Sequence, residues 1–182
     1  MTTIIGYEHE AGCVIASDTQ TTAGDGYPFT HPDLVKILSR DGYLVAVSGE
    51  NQSCDIAAHL WDIPERDDSP WYQFGIRVLS PSLRAAHEVN GFAPDKENDW
   101  AVMIASRGEL LTIESDYSIL RAADGMYGMG SGSAYGLGAL TILLGVTSVT
   151  CAMERAVLVA SRFDVFTSNG TNVVTQRKEV AY

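Results

Sequence analysis

The sequence predicts an α+β fold of four layers, two packed antiparallel sheets with a pair of helices outside each. Two observations predict it. Segments of strand and helix character follow one another as strands, two helices, strands, two helices, strands. Both helical pairs are largely apolar, so each must cover a sheet face. A single sheet with helices on one face is the plainer arrangement that the same order permits.

The elements follow in order. Thr2–Tyr7 is a short β-branched run and Gly12–Ser17 is another, which predicts a hairpin around Glu8–Gly12. Leu34–Leu38 and Tyr43–Ser48 form a second hairpin turning at Arg40-Asp41-Gly42. Within Gly49–Trp61 the apolar positions 54, 56, 57, 60 and 61 have helical spacing, and Tyr72–Val89 is a second helical stretch. Pro81 lies inside it and predicts a kink or break near Ser80. Trp61–Pro70 and Gly91–Asp99 are rich in polar and breaker residues and read as loops. Strands return at Trp100–Ala105 and Glu109–Glu114, joined at Arg107-Gly108, and again at Met126–Met129. Ala134–Leu144 and Ser148–Arg162 read as helices broken at Gly145, and Phe163–Thr167 and Asn172–Gln176 as closing strands. No repeat or linker divides the 182 residues, which predicts one domain over 1–182.

Composition narrows the function classes. Hydrophobic residues make up 46% and charged residues 19%, the balance of a globular chain. Twelve Lys and Arg against 23 Asp and Glu give a net charge of −11, with no basic cluster to displace counterions, which excludes nucleic acid and an anionic membrane surface as partners. Cys13, Cys54 and Cys151 are odd in number and contain no CxxC pair, so they read as reduced thiols rather than a disulfide or zinc framework. No stretch is apolar for the roughly 18 residues of a membrane span, and the N-terminus lacks the form of a signal peptide. Cytoplasmic location is the expectation. His9, His31, His59 and His87 show no metal spacing, and no P-loop pattern is present.

The chemistry starts at the N-terminus. Met1 precedes a small residue, the context in which an initiator methionine is removed, and the chain would then begin at Thr2. A threonine hydroxyl is a poor nucleophile without a base. An N-terminal threonine carries one, because its α-amine has a pKa of about 7.7–8.0 and can pass the hydroxyl proton to a leaving group. A fixed positive charge beside that amine favours its neutral form. Lys36 has apolar neighbours on both sides and must find a partner or an exposed face. Asp18, at the end of its strand, is a candidate partner.

Several segments together carry a family likeness. Thr2-Thr-Ile-Ile-Gly6, Val14-Ile-Ala-Ser-Asp18-Thr-Gln-Thr-Thr22 and Val35-Lys36-Ile37 resemble the start of proteasome β subunits and of the bacterial peptidase HslV. Ala46-Val-Ser-Gly49 before a helix, Met129-Gly-Ser-Gly-Ser133 before another, and Ser161-Arg-Phe-Asp164-Val-Phe-Thr167 extend the resemblance over nearly the whole chain. The resemblance implies an N-terminal-nucleophile (Ntn) hydrolase of the αββα sandwich, a threonine-type endopeptidase. It implies that Thr2, Asp18 and Lys36 form the catalytic set, with Ser131, Asp164 and Thr167 supporting the threonine amine. It places the oxyanion donor at Ala46, where the family has glycine, and substrate as an added strand between the loops near Thr22 and Ser48. Side-chain pockets near Thr21, Leu44 and Ser48 would set preference. No propeptide is expected beyond Met1, as in HslV. No cofactor is required, although the resemblance admits a structural monovalent or divalent cation near Asp164. The implied partners are polypeptide substrates, further copies of the chain in stacked rings, and an ATP-driven unfoldase; helices Gly49–Leu60 and Ala134–Leu144 are the candidate contact surfaces. Two rivals share the fold: an amidase or acylase acting on a small molecule, and a catalytically silent ring or scaffold protein.

Overall fold

The computed structural model describes residues 2–22, 26–93 and 99–179. Met1, whose removal the resemblance implies, and residues 94–98 of the second expected loop lie outside the described residues.

Nine of the strands build two antiparallel sheets. The first sheet has β1 (Ile4–His9) and β2 (Gly12–Asp18) at its centre, β10 (Met126–Met129) beside β1, and β11 (Thr171–Arg177) beside β2. The second runs in chain order through β5 (Ile37–Arg40), β6 (Tyr43–Gly49), β7 (Trp100–Ser106), β8 (Glu109–Glu114) and β9 (Ile119–Leu120). A two-residue ribbon, β3 (Thr21–Thr22) with β4 (Pro28–Phe29), stands apart from both and was not foreseen from the sequence.

Alternation along each strand separates three apolar layers. Ile4, Cys13, Ile15, Leu44, Ala46, Met103 and Leu110 meet between the sheets. Their neighbours Ile5, Val14 and Ala16 face the opposite way, onto helices α3 (Ser133–Leu143) and α4 (Val149–Phe163). Tyr43, Val45, Val47, Val102, Ile104, Leu111 and Ile113 face the other helix pair. Every central strand is therefore covered on both sides, which is why these strands read as continuous apolar runs. The result is the four-layer sandwich, helices–sheet–sheet–helices; the single-sheet arrangement is excluded.

The other helix pair departs from regular α geometry. Asn51–Asp55 is α-helical and continues as a π-helix over Ile56–Leu60, together α1. Trp71–Phe74, a π segment Gly75–Leu79 and Ser80–Val89 form one continuous stretch, α2. The expected break at Pro81 appears as this change of register in the preceding turn. Proline has no N–H for the i−4 carbonyl, and widening the turn before it accommodates the loss. The Trp61–Pro70 loop is held to the second sheet: Tyr43 donates to the Pro64 carbonyl at 2.8 Å, and Arg66 donates to the Ser106 carbonyl at 2.6 Å and pairs with Glu109.

One expected strand is absent. Phe163 ends α4, and residues 164–167 form a turn. Thr167 N–H closes onto the Asp164 carbonyl at 3.1 Å, and Phe166 N–H reaches Asp164 Oδ1 at 3.4 Å. An aspartate that binds the backbone just after itself favours a turn over a strand.

Candidate active site

The site forms where the open ends of β1, β2 and β6 meet the segment leading into β5. Thr2 and Thr3 precede β1 directly, and Asp18 closes β2; antiparallel pairing of Ile4 with Ser17 brings the two ends together. The register is extended by Asp18 N–H to the Thr3 carbonyl at 3.1 Å. Lys36 sits one residue before β5, tied by its carbonyl to Val47 N–H at 3.2 Å.

These three residues converge. The Thr2 hydroxyl donates to Asp18 Oδ1 at 2.6 Å, Lys36 Nζ donates to the same oxygen at 2.6 Å, and Nζ also donates to Thr2 Oγ1. All three are buried, at 4% exposure for Thr2, 1% for Asp18 and 8% for Lys36, where an unpaired charge would be costly. Asp18 is well supplied with donors: Oδ1 also accepts Thr3 N–H at 2.9 Å, and Oδ2 accepts Gln20 N–H at 2.9 Å and Ser168 N–H at 3.2 Å. Burial pushes the Lys36 ammonium below the usual lysine range, and the Asp18 carboxylate opposes that shift without cancelling it.

A second cluster lies behind the first. Asp164 Oδ2 accepts from Ser131 at 2.8 Å and from Thr167 at 2.6 Å. Because the Thr167 hydroxyl proton goes to Asp164, the 2.7 Å contact between Thr3 and Thr167 has Thr3 as donor. Thr3 thus links the two clusters, through its N–H to Asp18 and its hydroxyl to Thr167. The sequence reading missed it. The available signal was a hydroxyl at the position of β1's alternation that shares the helix-facing side with Ile5, where a polar group needs a partner. Gly130-Ser131-Gly132 fits closely around this link. A Cβ on Gly130, whose φ is +83°, would stand 2.2 Å from the Thr2 carbonyl oxygen, and one on Gly132 would stand 2.0 Å from Thr3 Oγ1.

In front of Thr2 lies an open cavity of about 290 Å³. Thr21, Thr22 and Ser48 line it, as the expected substrate strand requires. Ala46 does not, and neither does Leu44: both are buried between the sheets. The backbone gives the reason. Val47 N–H goes to Lys36 and Glu50 N–H to the Asp99 carbonyl at 3.0 Å, so alternate donors of β6 face opposite neighbours. The N–H of Ala46 therefore belongs to the ladder with β7. That of Gly49 faces the other side, where β5 has not begun and the cavity opens. The N–H of Ala46, expected as the oxyanion donor, is thus turned away from the cavity, and the one that faces it is that of Gly49. At φ +111°, and with a Cβ there only 2.1 Å from the Asp99 carbonyl oxygen, this position requires glycine.

On the far side of Lys36 and Asp18 is a second cavity of about 470 Å³, bordered by Ser17, Thr19, His31 and Asn172. The buried Ser17 hydroxyl has no hydrogen-bond partner among the described residues. For the cation expected near Asp164, Oδ2 is already occupied by two hydroxyl donors, and no group of three His, Cys, Asp or Glu among the described residues could hold a metal.

No family model matches the sequence. Solved structures do match the fold. Thiobacillus denitrificans BPH, in complex with epoxomicin, is 18% identical, with 98% of this chain and 100% of that chain covered at a TM-score of 0.80. Eukaryotic HslV from Trypanosoma brucei is 19% identical, with 95% and 98% covered at 0.67. Anbu, described as an ancestral β-subunit, from Yersinia bercovieri is 16% identical, with 96% and 81% covered at 0.72. At these identities the likeness is one of fold: this chain has the HslV and Anbu sandwich.

Proposed function

We propose that this chain is a threonine-type endopeptidase, a single catalytic domain whose nucleophile is Thr2 once Met1 is gone. The observation that carries the reading is the contact of Thr2 Oγ1 with both Lys36 and Asp18 on the wall of an open cavity. The freed α-amine takes the hydroxyl proton as Oγ1 attacks the scissile carbonyl carbon. The oxyanion is met by the Gly49 N–H, and the Lys36 ammonium stabilises the charge developing at Thr2. The amine then passes its proton to the leaving nitrogen as the C–N bond breaks, leaving an ester on Thr2. Water adds to that ester with the same amine as base, releases the new carboxyl terminus and restores the hydroxyl. Ser131, Asp164 and Thr167 hold the amine's surroundings in place by way of Thr3.

Substrate would lie as an added strand along the Thr21–Thr22 and Ser48–Gly49 edges, a mode that reads backbone and accepts many sequences. The reading extends to a homo-oligomeric ring fed by an unfoldase. For the association of copies, the support within the chain is the apolar surface on α3 and just beyond it, where Tyr135, Ile142 and Val146 are exposed.

The test is intact-mass measurement with epoxomicin labelling, since an epoxyketone needs a free amine and a hydroxyl on one residue. We expect loss of Met1, one adduct per chain, and none in Thr2→Ala. An adduct that survives Thr2→Ala removes Thr2 as nucleophile. Turnover of simple amides without turnover of peptides would indicate a small-molecule amidase. Retained Met1 with no adduct would indicate a silent scaffold.

A further inference from the structure

We propose that the cavity in front of Thr2 selects a basic side chain, lysine or arginine, on the residue whose carbonyl is attacked. The proposal rests on the peptidase reading and adds its substrate class. Leu34, Val35, Val47 and Ala58 supply apolar walls, suited to the methylene stem of a long side chain. The acidic and basic side chains lining the cavity, besides the His59 imidazole, are Lys36, Asp33 and Asp55. Lys36 is committed to Asp18 at 2.6 Å, so its charge is compensated at the site. The Asp55 carboxylate, exposed on α1, has no hydrogen-bond or ion-pair partner among the described residues. Among the described residues the ion-pair partner of Asp33 is the exposed His31 imidazole at 3.4 Å, charged only if protonated. The charge left facing the cavity is acidic, and the molecule's net −11 has the same sign. An ammonium or guanidinium is attracted to it and a carboxylate repelled.

The experiment compares coumarin-amide tripeptides that differ only in the last residue, Arg, Lys, Leu or Glu, at pH 8, where imidazoles are neutral. We expect kcat/KM for Arg and Lys to exceed that for Leu by roughly tenfold, with Glu lowest. The ratio should shrink in about 0.5 M salt and fall several-fold in Asp33→Asn/Asp55→Asn. Equal or better turnover of the Leu or Glu peptide overturns the proposal, as does a ratio that the double substitution leaves intact. A second arm measures binding of the same peptides to Thr2→Ala protein by NMR titration, with the Arg peptide expected tightest. Binding without that order, or no binding, overturns the proposal. If the wild type neither cleaves nor labels while the Arg peptide still binds tightest, the selectivity stands and the peptidase reading falls.

Discussion

Thr2 Oγ1 is held between an ammonium and a carboxylate, and the protonation of Lys36 decides which way that contact works. Burial makes Lys36 give up its proton at lower pH than a free lysine. If its positive charge serves the reaction, the rate must fall on the alkaline side, beginning below about 10.4, the ordinary lysine value. On the acid side the rate should rise as the Thr2 amine deprotonates, near pH 7.7–8.0 for an unperturbed amine and lower beside Lys36. The pH dependence of epoxomicin labelling measures both limbs. Lys36→Met should abolish the alkaline limb and slow labelling on the order of a hundredfold or more, with a melting curve to show that the fold survives. A wild-type rate that climbs through the alkaline range would instead make neutral Lys36 the base.

The helix pair over the second sheet carries a buried polar bridge. His87 of α2 meets Ser53 of α1 at 3.1 Å and the Tyr117 hydroxyl at 2.9 Å, packed among Phe92 and Trp100. Burial lowers the His87 pKa below the usual imidazole range. The unfolded chain therefore takes up this proton first as pH falls. Stability from the neutral, buried ring is full above about pH 6.5, the unfolded value, and is lost as pH drops through the folded one. Melting temperature should decline between pH 7 and 5, and His87→Phe should flatten that slope while forfeiting both hydrogen bonds. An unchanged slope would place the acid sensitivity elsewhere. Because α1 also supplies Cys54, Asp55 and His59 to the cavity, this bridge indirectly holds one wall of the site.

Across the whole molecule, three apolar layers satisfy both faces of both sheets, yet α3 is apolar beyond what the fold uses. Its buried positions are Gly136 and Leu140, while Ile142 is 73% exposed and Val146, just past its end, 76%. An apolar helix face left open is a candidate association surface. Ile142→Glu with Val146→Glu should reduce the sedimenting species to a single chain. The stability of the fold should move by no more than about 0.5 kcal/mol. An unaltered sedimentation profile would remove this face from the assembly.

Local chemistry in the sequence determined the alternation that puts Ile4 and Ile5 on opposite faces, the turns at Asp41-Gly42 and Arg107-Gly108 with their positive φ, and the pairing of Asp18 with Lys36. Each depends on a residue's own backbone preference or on a buried charge needing its opposite, so each is visible in one dimension. The likeness of ordered motifs supplied the rest of the candidate set, Ser131, Asp164 and Thr167. Only the tertiary structure decided that Thr3 joins the two clusters, that residues 164–167 turn rather than extend, and that Gly49 rather than Ala46 offers its N–H to the cavity. Those depend on which edge of a strand lacks a neighbour and on which side chains from distant segments meet. Strand register and sheet closure settle both, and no single segment of the chain contains them.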